Sequence, residues 1–479
     1  MKQTLFVLAT LLVSHSASLK AAETPRPEHP HVLIILVDDM GYGDPGCYNP
    51  RSKIATPNID RLAREGMRFT DAHAAGSLCH PSRYGLMTGQ YPFRTDVSKW
   101  PTEPLIKEGQ TTIASLLKAQ GYRTAMVGKW HLGFQESGYD QELPGGPVDR
   151  GFDSFFGFRA STDIPPYFYI RGDRAVAPPT ARIDDHASPG WSPIQGAFWR
   201  AGGIAPGLEL KDVLPRFTEE AIGVIRGHAR TQSEQPLMLY LALTAPHTPW
   251  LPSDEFKGQS GAEMYGDFTM MVDAMVGRVI KALDDATMAD DTLVLFTSDN
   301  GPVWYPEDAA RTGHDSVGGL RGMKSSSWDG GHRMPFIVRW PGRVKPGSTT
   351  GQTVCFTDVM ATLADAAGAR MPDDAGPDSF SFLPVLLGEQ PEDQPVRPSL
   401  VVERSIRMGP WKWIEGREPV LFGRRDAGVV PPPDQPPGQL YNLADDPQET
   451  KNLAAEHPER ATELKKELAR IRNATRTRP

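Results

Sequence analysis

Four apolar runs in this chain end abruptly in charged or polar residues. His31-Val-Leu-Ile-Ile-Leu-Val37 is followed by Asp38 and Asp39, and Tyr122 to Val127 runs into Gly128-Lys129-Trp130-His131. Leu237 to Leu243 leads into Thr244-Ala-Pro-His247, and Thr292 to Thr297 into Ser298, Asp299 and Asn300. Unbroken runs without polar alternation suit strands covered on both faces of a mostly parallel sheet. Helical segments lie between them. Thr56-Pro57 is expected to cap and start a helix that stops at Gly66. Thr111 or Thr112 opens another that ends before Gly121, and Met264 to Ala286 carries apolar residues at helical spacing. Repetition of strand, helix, strand predicts an α/β sandwich with a large, mostly parallel central sheet. Ligands in such sheets sit outside the carboxyl ends of the strands, so the polar clusters belong to one edge and one site.

The 479 residues suffice for one large domain and a smaller one. A net charge of −8 gives no reason to expect a nucleic-acid partner. Lys2, the apolar run Leu5 to Val13 and the mostly small residues Ser16 to Ala22 read as a signal peptide over residues 1–22. That run is too short to span a bilayer, so the mature chain is expected to be periplasmic or secreted, with no membrane span. The strand–helix pattern weakens after about residue 370. Beyond it come strand-like pieces at Ser399 to Glu403 and Trp411 to Ile414, a proline-rich stretch at Pro431 to Pro437, and a charged helix from Pro458 to Ile471. These predict a smaller α+β subdomain over 371–479 beside a catalytic domain over 30–370. Export permits disulfides, and Cys47 and Cys355 could pair; that leaves Cys79 as the odd thiol.

Asp38-Asp39 and Asp299-Asn300 offer four oxygen ligands on two strand ends. Hard oxygen donors suit Ca²⁺ or Mg²⁺ better than Zn²⁺, whereas turn residues capping helices would be the bland reading of either pair alone. Lys129, His131, His247 and Lys324 add basic groups that, beside a divalent cation, make an anion pocket. In Leu78-Cys-His-Pro-Ser-Arg-Tyr-Gly-Leu-Met-Thr-Gly89, Pro81 suits a first helical position and Gly89 a stop, which puts Cys79 at a helix N-terminus. Arg83 follows four residues along on the same face. A thiolate at that end would be a nucleophile. A cysteine-protease reading, however, leaves the acidic strand ends and the two lysines unexplained.

Cys79-x-Pro-Ser-Arg83 followed by Leu86-Met-Thr-Gly89 resembles the first signature of the type I, formylglycine-dependent sulfatases, arylsulfatase-like members of the alkaline-phosphatase superfamily. Gly121-Tyr-Arg-Thr-Ala-Met-Val-Gly-Lys-Trp-His-Leu-Gly133 is similar to the second. Leu320-Arg-Gly-Met-Lys324, with Gly330-Gly331, Arg333 and Trp340-Pro-Gly342, looks like a third block, and Thr244 to Pro249 and Gln439 to Leu443 also match. One departure is Asp329, where the family often has Glu. The resemblance implies an alkaline-phosphatase-like fold and sulfate-ester hydrolysis. It implies that a formylglycine-generating maturation enzyme converts Cys79, whose aldehyde hydrate attacks sulfur to give a covalent sulfo-enzyme. Asp38, Asp39, Asp299 and Asn300, with residue 79, would hold one Ca²⁺. Arg83 would steady the attacking hydroxyl, and Lys129 and Lys324 would bind sulfate oxygens. His131 would take the proton that lets sulfate leave, and His247 with Lys324 would protonate the departing alcohol. Ser161 corresponds to a further sulfate contact.

The substrate is expected to be a sulfated carbohydrate. The loop-like segments Thr180 to Lys211 and Arg311 to Gly319 carry Trp191, Trp199 and His314, and Trp199 and His314 are the expected sugar contacts at the site mouth. Two other readings stand beside this one. A phosphate mono- or diester hydrolase of the same superfamily would lean on zinc and more Asp and His ligands. An inactive secreted sugar-binding homologue would have lost some of these residues, and none is lost. Sequence leaves the sugar and the sulfated position open.

Overall fold

The computed structural model describes residues 29–99, 103–231, 234–416 and 438–479. The expected signal peptide and the Pro431–Pro437 stretch lie outside the described residues. The central sheet has ten strands, in the order Ser348–Thr350, Met67–Phe69, Phe336–Arg339, Thr292–Ser298, His31–Asp38, Leu237–Pro246, Arg123–Lys129, Ser154–Phe158, Ile170–Arg171 and Arg174–Ala175. The five from Thr292–Ser298 to Ser154–Phe158 run parallel, and the strands flanking them on either side are antiparallel to them. The four apolar runs therefore lie side by side at the sheet centre.

Their lack of alternation follows from burial on both faces. Leu33, Ile35 and Val37 point to one face, against the helices Pro57–Glu65, Val213–Arg230 and Glu263–Asp285. Val32, Ile34 and Leu36 point to the other, which packs with residues of Cys79–Thr88, Ile113–Ala119 and Asp358–Ala366. A separate antiparallel sheet of Leu400–Val402, Ser405–Met408, Trp411–Ile414 and Gln439–Asn442 lies in the C-terminal part. The helix Pro458–Asn473 buries Ala461, Leu464, Leu468 and Ile471 in the same core.

Local signals were met with two changes. Thr112 caps its helix with Ser115 in a reciprocal capping box, a device of about 1 kcal/mol. Thr56 does not cap: its hydroxyl meets Asp60 and the Gly46 N–H. The free N–H groups of that helix, on Asn58 and Ile59, are instead taken by Asp273 of the Glu263–Asp285 helix. Pro81 is the third residue of its helix, which begins at Cys79 after an extended Leu78. That position still lies in the first turn, where the missing proline N–H breaks no ladder bond. Gly89 ends the helix at φ 61°, its N–H bonded to the Gly85 carbonyl. All three cysteines are free, so the Cys47–Cys355 pair does not form. Among the described residues no helix is long and apolar enough to cross a membrane.

Candidate active site

The carboxyl ends of the central strands deliver the polar clusters to one buried point. Asp38 ends the first strand, and Asp39 turns the chain away at φ 64°. Asp299 and Asn300 follow the neighbouring strand, Lys129 ends a third, and His247 follows a fourth. The Cys79 helix brings its first turn to the same edge. One ligand atom each from Asp38, Asp39, Cys79 and His247 lie within 4.8 Å of one another.

The charges interlock. Arg83 donates from Nε to Asp299 Oδ2 at 2.9 Å, and its Nη2 lies 2.8 Å from the same oxygen and 3.3 Å from Asp38 Oδ2. Its Nη1 donates to the Lys129 carbonyl at 2.9 Å. Lys129 Nζ sits 2.5 Å from Asp38 Oδ2, and Lys324 Nζ reaches both Asp39 oxygens at 2.7 and 2.9 Å. Lys324 Nζ is also 3.4 Å from Cys79 Sγ, which in turn is 3.7 Å from Asp38 Oδ1. Burial pushes the Asp38 carboxyl up, but Lys129, His247 and Arg83 outweigh it and hold it below its usual value. Burial opposes the charge on Lys324 and Arg83 too, and the surrounding carboxylates raise both above their normal range.

Asn300 gives the clearest sign of a metal site. Its Nδ2 donates to Asp39 Oδ1 at 2.6 Å and to the Gly301 carbonyl at 2.9 Å. Its Oδ1 is buried with no hydrogen-bond partner, on the same amide whose Nδ2 meets Asp39. A buried acceptor costs about 1–3 kcal/mol when unsatisfied, and a cation at this point would satisfy it. The donor set is all oxygen apart from residue 79, which fits a hard divalent ion.

Cys79 is fully buried, and burial pushes its thiol up to about 12 despite Lys129 and Lys324. Burial thus opposes thiolate formation at this helix N-terminus. Burial, with Lys129, His80 and Arg83 nearby, pushes His131 well below the usual histidine range, so it stands as a neutral base. Its backbone is left-handed at φ 61°, and its N–H bonds the Arg159 carbonyl at 3.1 Å. His247 Nδ1 faces the Thr248 carbonyl at 2.6 Å, which turns Nε2 towards Asp39 Oδ2 at 3.7 Å.

The expected substrate contacts, Ser161, Trp199 and His314, divide. Ser161 lies on the loop after Ser154–Phe158, with its Oγ buried and without a hydrogen-bond partner. Trp199 is partly exposed and stacks on His186 at 4.5 Å. The next residue, Arg200, pairs with Asp163, whose Oδ1 lies 3.9 Å from His247 Nδ1. Gly196 accepts from Thr248 Oγ1 and the Trp250 N–H, so this segment packs against the His247 turn. His314 does not reach the mouth and is corrected: it is buried, with Nδ1 accepting from the Lys53 N–H and Nε2 facing Asp44. Sequence reasoning missed Asp163, a single acidic residue in an irregular loop that carries no local signal.

A family described as Sulfatase matches residues 30–369. The chain is 33% identical to the N-acetylgalactosamine-6-O-sulfatase of Bacteroides thetaiotaomicron, over 96% of this chain and 97% of that one. It is 35% identical to arylsulfatase A of Bos taurus over 80% of this chain and 71% of the relative. A solved chain from work on the metabolism of multiple glycosaminoglycans by Bacteroides thetaiotaomicron superposes with a TM-score of 0.80 at 31% identity, covering 93% of this chain and 100% of that one. With the mostly parallel central sheet and the strand-end site described above, these matches place the chain in the sulfatase family: it has the alkaline-phosphatase-like fold and is a sulfuric ester hydrolase.

Proposed function

We propose that this enzyme removes a sulfate monoester from a saccharide, with 6-sulfated N-acetylgalactosamine as the first substrate class to test. The observation that carries the chemistry is the buried convergence of three carboxylates, the unpartnered Asn300 Oδ1 and three cationic side chains around Cys79. Asp38, Asp39 and Asp299 balance Arg83, Lys129 and Lys324 in charge. A divalent cation would therefore leave the pocket positive, as an anionic sulfate ester requires. Asp38, Asp39, Asp299, Asn300 and residue 79 would hold one Ca²⁺, which supplies a Lewis acid for a sulfate oxygen. Conversion of Cys79 to formylglycine by a maturation enzyme would supply the hydrated aldehyde that attacks sulfur. The raised thiol supports this reading, because the cysteine itself has little thiolate to offer.

The remaining steps belong to named side chains. Lys129 and Lys324 reach towards the sulfate oxygens, and Arg83, fixed by Asp299 and the Lys129 carbonyl, steadies the attacking hydroxyl. His247 protonates the leaving alcohol from Nε2, because Nδ1 is engaged with the Thr248 carbonyl. His131, held neutral by burial, accepts the proton that releases sulfate. Ser161 is a further sulfate contact, and Trp199 with its neighbours reads the sugar. The substrate class draws support from the full-length likeness to an N-acetylgalactosamine-6-O-sulfatase. Sulfate release from saccharides sulfated at the 6 or the 4 position of N-acetylgalactosamine tests it. Selective release from the 6-sulfate is expected, and equal or no release from both would refute the assignment.

A further inference from the structure

The turn bearing Asp38 and Asp39 is held by groups that the chemistry above does not use. Asp39 has a left-handed backbone at φ 64°. Such a conformation in a non-glycine residue persists only where the surroundings over-determine it. The restraints come from both sides. Met40 N–H donates to Ser298 Oγ at 2.9 Å, which ties the turn to the strand leading into Asp299. Gly43 N–H donates to the Ser316 carbonyl at 2.8 Å. Gly41 approaches the same segment so closely that a Cβ there would lie 2.0 Å from the Ser316 carbonyl oxygen.

Inside this turn lies a closed network. Asp44 Oδ2 accepts from the Gly41 N–H at 2.6 Å and from the Tyr265 hydroxyl. The Tyr265 hydroxyl also lies 3.2 Å from the carbonyl oxygen of Asp39. Asp44 Oδ1 faces His314 Nε2 at 2.8 Å. His314 Nδ1 accepts from the Lys53 N–H, so the proton is on Nε2 and points at Asp44. The Trp304 indole donates to the His314 carbonyl at 3.0 Å, which fixes that loop. Asp44 and His314 are fully buried and Tyr265 nearly so.

We infer that Tyr265, Asp44 and His314 are positioning residues that set the Asp39 turn for the cation, and that they thereby set its affinity. The inference rests on the metal reading above. Outer groups that orient metal ligands change affinity by about 10–100-fold when removed, although they never touch the ion. Asp44 is the hub: its carboxylate meets the Gly41 backbone, the Tyr265 hydroxyl and the His314 ring at once. Removing either ring partner leaves Asp44 short of a donor and frees the turn to relax.

The test uses the full-length, metal-stripped protein with calcium as the probe. Calorimetry measures the calcium dissociation constant of the wild type, Tyr265→Phe, His314→Gln and Asp299→Ala, and thermal unfolding is followed in chelator. Both network variants are expected to bind calcium about 10–100-fold more weakly. Their turnover should recover at saturating calcium, whereas Asp299→Ala should not bind at all. Unchanged calcium affinity with lowered thermal stability would make the network merely structural and overturn the inference. Turnover that stays low at saturating calcium would overturn it as well. A wild type that takes up neither calcium nor magnesium would overturn the metal reading, and this inference with it.

Discussion

Lys412 offers a sharp test of how the C-terminal sheet is joined to the catalytic core. Its ammonium lies 2.6 Å from Asp329 Oδ1 and 2.8 Å from Glu449 Oε1, with the side chain almost wholly buried. Asp329 is the position read from the sequence as a departure from the resembled pattern, and it makes the contact with Lys412 here. Its N–H also donates to Glu449 Oε2 at 2.7 Å, and Arg333 lies 3.4 Å from its other oxygen. Lys412→Met leaves two carboxylates buried beside each other without their shared cation. Breaking a buried pair by removing one partner costs about 3–5 kcal/mol. Protonation can relieve part of this. Burial and Asp329 raise the Glu449 carboxyl to about 7 even with Lys412 present, so Glu449 takes up a proton first. A raised carboxyl stabilises the fold below its unfolded value, near 4.5, and that contribution is lost as pH rises through about 7. Without Lys412 the carboxyl rises further, at about 1.4 kcal/mol per unit. The destabilisation should therefore be the full 3–5 kcal/mol near pH 8.5 (order of magnitude) and smaller near pH 5.5, by about 1.4 kcal/mol for each unit the carboxyl rises. Urea unfolding of wild type and variant at both values, followed by tryptophan fluorescence, measures it. A penalty below about 1 kcal/mol, or one equal at both pH values, would refute the reasoning.

Asp299→Ala removes a proposed metal ligand and the main partner of Arg83, so elemental analysis should show calcium and activity lost together; retention of calcium would contradict the ligand set. Stoichiometric zinc in the wild type would instead favour the phosphohydrolase chemistry. The two histidines should fail at different steps. His131→Ala is expected to keep the transferred group on the protein after one turnover, as a mass gain. His247→Ala should lose more on alkyl than on activated aryl sulfates, whose leaving groups need little protonation. Trp199→Ala should lower kcat/KM for the saccharide while sparing a small aryl sulfate. His314→Ala should depress both, because that ring is buried on Asp44.

The central sheet was legible because its strands are buried on both faces, so Val, Leu and Ile crowd into runs that no amphipathic element would show. The convergence of Asp38, Asp39, Lys129, His247 and Asp299 was legible for a related reason: polar groups placed directly after such runs must emerge at one sheet edge. What escaped depends on contacts between distant parts of the chain. Asp273 caps the Pro57–Glu65 helix across 214 residues of sequence, and nothing near Thr56 announces it. His314 looked like a loop histidine at the mouth, yet it pairs with Asp44, 270 residues away. Asp163 gains its significance only from the turn that brings His247 within 3.9 Å. The motif around Cys79 drew attention to that residue, but its burial, which pushes the thiol up, came only with the fold.

The most direct measurement is peptide mass spectrometry of residue 79 in active protein, with specific activity determined on the same samples. Preparations made with differing amounts of a maturation enzyme would span a range of conversion. Aldehyde in place of the thiol, in a fraction that rises in proportion to sulfate release and extrapolates to no activity at zero conversion, is the predicted result. Full activity in protein whose residue 79 is entirely unmodified cysteine would contradict the account.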